Sequence, residues 1–173
     1  MAAGFTGTHA NDWLLVATAD GAPELHLRSS GAAPAIHLSL SHSGETIAAA
    51  IAPFPPGIDL ESTDRVRDWL ALADHVFAPE EREALLPLPE SARRDLFYRF
   101  WTLKEASGKR DGTGLRLSQA RTQRAYECDQ REAIASTWQS DGLCVALVGE
   151  RGMRTSVRGI PATAQQRYWR FNQ

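Results

Sequence analysis

The sequence predicts an α+β protein in which antiparallel sheets pack against helices. Three observations lead there. Short apolar runs separated by turn residues fill the first third of the chain, a long helical pattern occupies the middle, and strand patterns return after it. In addition, the strand-turn-strand stretch from Ile36 to Ala52 has a counterpart from Ile134 to Val148, which suggests two similar α/β halves.

In the first third, the strand candidates are Leu14 to Val16, Leu25 to Leu27, Ile36 to Leu40 and Ile47 to Ala52. They are interrupted at Asp20-Gly21, Ser29-Ser30-Gly31 and Ser43-Gly44. Pro53, Pro55 and Pro56 then break regular structure, and Gly57 to Glu61 restarts it as a strand. Side chains alternate faces along a strand, so Asp59 and Glu61 point the same way.

Helical patterns follow from Asp64 to Ala73, from Pro79 to Leu86 and from Glu90 to Lys109. Proline suits the first turn of the second, and Asp111-Gly112 suits the end of the third. On the third helix Phe97, Trp101, Glu105 and Lys109 recur every fourth residue, giving one face that begins aromatic and ends charged. Leu115 to Leu117, Ala133 to Trp138 and Leu143 to Val148 again read as strands. The basic, aromatic tail from Arg151 to Gln173 fits either a last strand or a docked terminus.

Composition narrows the function classes. A hydrophobic content of 43% over 173 residues is ordinary for a folded protein. With 19 Lys+Arg against 21 Asp+Glu there is no global field favouring nucleic acid or an acidic membrane. The longest N-terminal apolar run, Trp13 to Ala19, is too short to span a bilayer, so the expected location is cytoplasmic. Cys128 and Cys144 are the only cysteines and lack zinc-site spacing, which makes them reduced structural thiols.

Three clusters carry candidate chemistry. In Leu38 to Ser43, alternating apolar residues lead into a hydroxyl-rich turn where Ser41 and His42 offer donors to a phosphate; a plain polar turn is the alternative. Asp59 and Glu61 offer the paired hard oxygens that Mg²⁺ prefers, or simply a solvated strand end. Glu105 and Lys109, one helical turn apart, set a metal ligand or general base beside a cation, or form a common surface pair.

Taken in order, Ser41-His42-Ser43, Gly57-Ile58-Asp59-Leu60-Glu61, Phe97-Tyr98 and Trp101 to Leu115 resemble the motifs of the 4′-phosphopantetheinyl transferase superfamily, in its surfactin-synthetase-activating type. The last motif, W-T-x-K-E-A-x-x-K-x-x-G-x-G-L, is matched at every fixed position. The resemblance implies a pseudo-dimeric single chain that is a monomer, with a shortened N-terminal half at residues 1–56. A C-terminal half at 57–173 would carry the metal and catalytic motifs. It implies Mg²⁺ held by Asp59, Glu61 and Glu105, coenzyme A phosphates contacted by Ser41, His42, Lys104 and Lys109, and catalysis by Glu105 and Lys109. The reaction it implies moves phosphopantetheine from coenzyme A to a serine of an acyl, peptidyl or aryl carrier protein and releases adenosine 3′,5′-bisphosphate. A noncatalytic relative that binds coenzyme A or a carrier protein is the alternative.

The family's upstream Gly-Lys-Pro stands here as Gly21-Ala22-Pro23, without its lysine; Arg28 is a candidate substitute. Arg65, Arg67, Trp69 and Leu70 are candidates for the surface that meets the carrier, with a solvated helix face as the plainer reading.

Overall fold

The structure is a computed structural model, and it describes residues 7–17, 23–28, 36–65, 68–140 and 142–172. Strands β1 (Trp13–Ala17) and β2 (Pro23–Leu27) form one antiparallel pair, and β3 (His37–Ser43) and β4 (Thr46–Ala52) another. The β3–β4 turn passes through Gly44 at φ 60°, a left-handed conformation that glycine adopts without steric cost. The predicted turns at Asp20-Gly21 and Ser29 to Gly31 lie outside the described residues.

A five-stranded antiparallel sheet forms the centre. It contains β5 (Gly57–Ser62), β6 (Ala125–Glu127), β7 (Ala135–Ser140), β8 (Leu143–Val148) and β9 (Gln165–Phe171), in the spatial order β5-β8-β7-β9-β6. Four helices connect β5 to β6: α1 (Trp69–Val76), α2 (Pro79–Leu85), α3 (Glu90–Arg110) and α4 (Leu117–Thr122). The predicted α+β class is therefore the one observed, with antiparallel sheets against helices. Both strand-turn-strand stretches matched in the sequence are hairpins, β3–β4 and β7–β8.

Helix α3 packs along β5, β8 and β7, and buries Phe97, Tyr98, Phe100, Leu103 and Ala106 against Cys144, Ala146, Val148, Ala135 and Trp169. Each large apolar side chain buried in this way contributes about 1.5–3 kcal/mol. Phe77 joins from the end of α1, with its ring centroid 5.2 Å from that of Phe97, and Phe100 meets Trp169 edge-on at 5.8 Å. Cys144 lies within this core, where burial pushes its thiol up to about 12. It is inert structural sulfur.

Two expectations are corrected, and one left open is decided. The first helix begins at Trp69, not Asp64, because Asp68 caps it, accepting a hydrogen bond from the Ala71 N–H at 3.1 Å. Leu117 opens helix α4, where a strand was expected from Leu115 to Leu117; three alternating residues fit either period, and Ala120 is drawn into the helical core. The tail resolves as β9, an internal strand paired with both β7 and β6.

Gly57 fixes how closely α3 approaches β5. A Cβ there would overlap the Ala106 carbonyl oxygen and stand 2.7 Å from the Arg110 nitrogen, both rigid backbone of α3. Gly57→Ala is expected to lower stability by about 3 kcal/mol, the upper end for overpacking. Urea denaturation measures it, and a loss under about 0.5 kcal/mol, the range of neutral surface changes, contradicts the close packing.

Candidate active site

The closeness of α3 and β5 builds the site. Asp59 and Glu61 leave β5 on the face toward α3, while Glu105 and Lys109 leave the C-terminal half of α3. Gly108 lets the loop after α3 fold back: a Cβ there would overlap the Gly114 carbonyl, and the N–H groups of Thr113 and Gly114 both donate to the Gly108 carbonyl at 3.0 Å. The G-K-x-x-G-x-G run thus serves to close the loop next to Lys109.

Lys109 Nζ lies 2.8 Å from Asp59 Oδ1 and 2.9 Å from Ser41 Oγ. The Asp59 residue is only 6% exposed, and its other oxygen, Oδ2, is buried without a hydrogen-bond partner. An orphaned carboxylate oxygen at that depth is costly, and a cation relieves it. Glu61 Oε2 accepts from Ser43 Oγ at 3.3 Å and lies 3.9 Å from Arg65 Nη1.

Glu105 is half-buried, and its carboxyl is held above the ordinary carboxylate range. Burial is the main cause and the charge of Asp59 the next; Lys109 opposes the shift and Glu61 adds to it. Glu105 therefore shares a neighbourhood with both β5 carboxylates. No three His, Cys, Asp or Glu side chains are drawn around one point among the described residues. The ammonium of Lys109 already sits on Asp59 Oδ1, which removes part of the pull toward a common centre. The donor set of three carboxylates, one with a spare buried oxygen, fits a hard divalent ion.

A carboxyl with a raised folded-state pKa favours the fold when protonated. Its contribution is fully present below the ordinary carboxylate pKa and is lost as pH rises through the raised value. Without divalent ions, Glu105→Gln is thus expected to melt higher than wild type at pH 8, with the gain shrinking as pH falls into the ordinary carboxylate range. Melting curves across pH check this, and a gain constant with pH contradicts it.

Among the residues predicted for coenzyme contact, only Ser41 and Lys109 reach the carboxylates. Lys104 is corrected: it lies inside the protein, its side chain 1% exposed, paired with Glu81 Oε2 at 2.8 Å and donating to the carbonyls of Ala120 and Gln123. It sits one residue before Glu105, which turns it about 100° away around the helix, toward α2 and α4 instead of the acids. His42 alternates to the face of β3 opposite Ser41 and is exposed, across from Ile47. Arg28 is exposed just beyond β2.

On the proposed carrier side, Arg65 and Leu70 are exposed, whereas Trp69 is half-buried with its ring 6.3 Å from Phe97. Arg67 and the Gly21-Ala22 positions lie outside the described residues. Sequence reasoning gave no role to Ser39, Ser43 or Glu81. The first two were visible as S-x-S-x-S, with the same period of two as D-x-E; Glu81 carried no local signal.

Comparison with known proteins bears on the family of the chain. Residues 55–148, more than half of the chain, match the model of the 4′-phosphopantetheinyl transferase superfamily. The 4′-phosphopantetheinyl transferase psf-1 of Bacillus pumilus is 35% identical over 82 residues, 47% of this chain and 34% of that protein. The 4′-phosphopantetheinyl transferase Sfp of Bacillus subtilis (strain 168) is 36% identical over 84 residues, 49% of this chain and 37% of that protein. The chain thus matches little more than a third of the length of these curated relatives. A holo-(acyl-carrier-protein) synthase from Bacillus anthracis, solved in complex with CoA (3′,5′-ADP), superimposes with a TM-score of 0.47 at 22% identity, covering 54% of this chain and 92% of that one. The matched segment contains the β5 acids, all of α3 and its closing loop, and by that match the chain belongs to the 4′-phosphopantetheinyl transferase superfamily.

Proposed function

We propose that the chain transfers the 4′-phosphopantetheine group of coenzyme A to a serine of an acyl, peptidyl or aryl carrier protein, with Mg²⁺ as cofactor. The observation that carries this reading is the meeting of Asp59, with its buried unpartnered Oδ2, and Glu105, raised first by burial and then by the charge of Asp59, beside the ammonium of Lys109. Asp59, Glu61 and Glu105 would hold the ion, which when bound supplies positive charge to the pyrophosphate oxygens.

The carrier serine oxygen attacks the β-phosphorus of coenzyme A. The bond from that phosphorus to the bridging oxygen breaks, and adenosine 3′,5′-bisphosphate leaves with the bond's electron pair. The serine proton passes to Glu105 or to a water beside it. Lys109 is the one described side chain predicted for phosphate contact that stands at the acids with a charge to offer the transferring group. Residues 57–173 form the half that carries these groups, and residues 1–56 the smaller half that supplies Ser41. The protein acts as a monomer in the cytoplasm; among the described residues no helix is long and apolar enough to cross a membrane. Arg65, exposed and 3.9 Å from Glu61 Oε2, and the exposed Leu70 are the side chains offered to an acidic carrier helix.

A noncatalytic role in binding coenzyme A or a carrier is favoured by two observations: Lys104 is buried away from the site, and Ser41 is committed to Asp59. Incubating the full chain with Mg²⁺, coenzyme A and a panel of apo carrier proteins separates the two. Mass spectrometry is expected to show one carrier heavier by a phosphopantetheine group. If no carrier gains that mass while calorimetry still detects coenzyme A, the binding role stands instead.

A further inference from the structure

Strand β3 runs beside the outer edge of β5, yet its backbone does not complete the sheet there; serine side chains do. The N–H groups of Ile58, Leu60 and Ser62 donate to the hydroxyls of Ser39, Ser41 and Ser43 at 3.0, 3.1 and 3.0 Å. The unit repeats every two residues along both strands. At two of its three positions the hydroxyl also donates to the side chain one residue before the N–H it accepts: Ser41 to Asp59 Oδ1 at 2.9 Å, and Ser43 to Glu61 Oε2 at 3.3 Å. At the first position that preceding residue is Gly57, which has no side chain to orient.

A serine hydroxyl has one hydrogen to donate and two lone pairs to accept with. Ser41 uses all three: the hydrogen on Asp59, the lone pairs on the Leu60 N–H and on Lys109 Nζ. It has nothing left for a phosphate unless it releases Asp59. We propose that Ser41 and Ser43 are positioning residues that aim the Asp59 and Glu61 carboxylates toward α3, and that Ser39, built into the same seam, is only a structural rung. Fixing a carboxylate through a hydroxyl that is itself locked to the backbone of the same strand removes the side-chain freedom a metal would otherwise have to quench. The proposal rests on the metal-binding reading given above.

Ser39→Ala supplies an internal control, since it removes one rung and one backbone acceptor but no carboxylate contact. Calorimetric titration of Mg²⁺ into the full chain with saturating coenzyme A is expected to show Ser41→Ala and Ser43→Ala weakened by about 10–100-fold, the usual effect of removing a group that orients a metal ligand. Ser39→Ala should bind within about 2-fold of wild type, well inside that range, although its melting temperature falls by a comparable amount. Amide exchange at Leu60 should quicken in Ser41→Ala, and at Ile58 in Ser39→Ala. Should Ser41→Ala fail to fold, Ser43→Ala carries the test. Equal Mg²⁺ affinity in the Ser39 and Ser43 variants, with wild type binding normally, overturns the proposal alone. Absence of Mg²⁺ binding by wild type overturns the metal reading and this proposal with it.

Discussion

Lys104→Met is expected to destabilise the protein by about 3–5 kcal/mol, because it removes one partner of a buried ion pair and leaves the other charge uncompensated. Glu81 and Lys104 are both 1% exposed at their side chains, and their partners account for nearly all their hydrogen-bonding capacity. Glu81 accepts from Lys104 and the Ala78 N–H on Oε2, and from the Ala125 N–H on Oε1. Lys104 donates to Glu81 and to the carbonyls of Ala120 and Gln123, at the end of α4. One pair thereby joins the start of α2, the middle of α3, the end of α4 and the start of β6. Burial lowers the pKa of Lys104, and Glu81 opposes that shift by its charge and its hydrogen bond.

The loss would take a large share of a typical total stability of about 5–15 kcal/mol. Urea denaturation reads it, and coenzyme A titration at low temperature, where the variant stays folded, separates the two roles this lysine has been given. A structural Lys104 predicts a large fall in stability with coenzyme A affinity kept. Wild-type stability with lost coenzyme A affinity would return Lys104 to the phosphates.

Lys104 also shows where sequence reasoning stops. The motif around it was legible because its physics is local: a period of four put Glu105 and Lys109 on one face, and a period of two put Asp59 and Glu61 on another. Strand runs between turn residues likewise located β1 to β5, β7 and β8 within a few residues. Lys104 takes its partners from Glu81, 23 positions earlier, and from a helix that three alternating residues had disguised as a strand. Nothing in its own neighbourhood encodes either. The saturation of Ser41 was hidden for a different reason: its role depends on β3 lying parallel to β5 at an offset of 19 residues, which only the packed structure supplies.

Asp59→Asn is expected to separate chemistry from folding more cleanly than any other single change. The amide is nearly the same shape, and its oxygen can still accept from Ser41 Oγ or Lys109 Nζ at the Oδ1 position. Removing the charge also relieves part of the repulsion that lifts Glu105. Stability should therefore change by under about 1 kcal/mol, the scale of one net hydrogen bond. The amide nitrogen, however, carries hydrogens where Oδ2 offered a buried anionic oxygen, and it cannot serve a hard cation. On the proposed function, transfer to a carrier should fall by about 10²–10³-fold, as expected when several kcal/mol of charge stabilisation is withdrawn. Lys109 would meanwhile lose its charge partner and stand freer to meet a phosphate, so coenzyme A binding without Mg²⁺ should survive. If Asp59→Asn transfers at the wild-type rate, the acids serve only to anchor Lys109, and a metal-assisted reaction at this face of β5 is excluded.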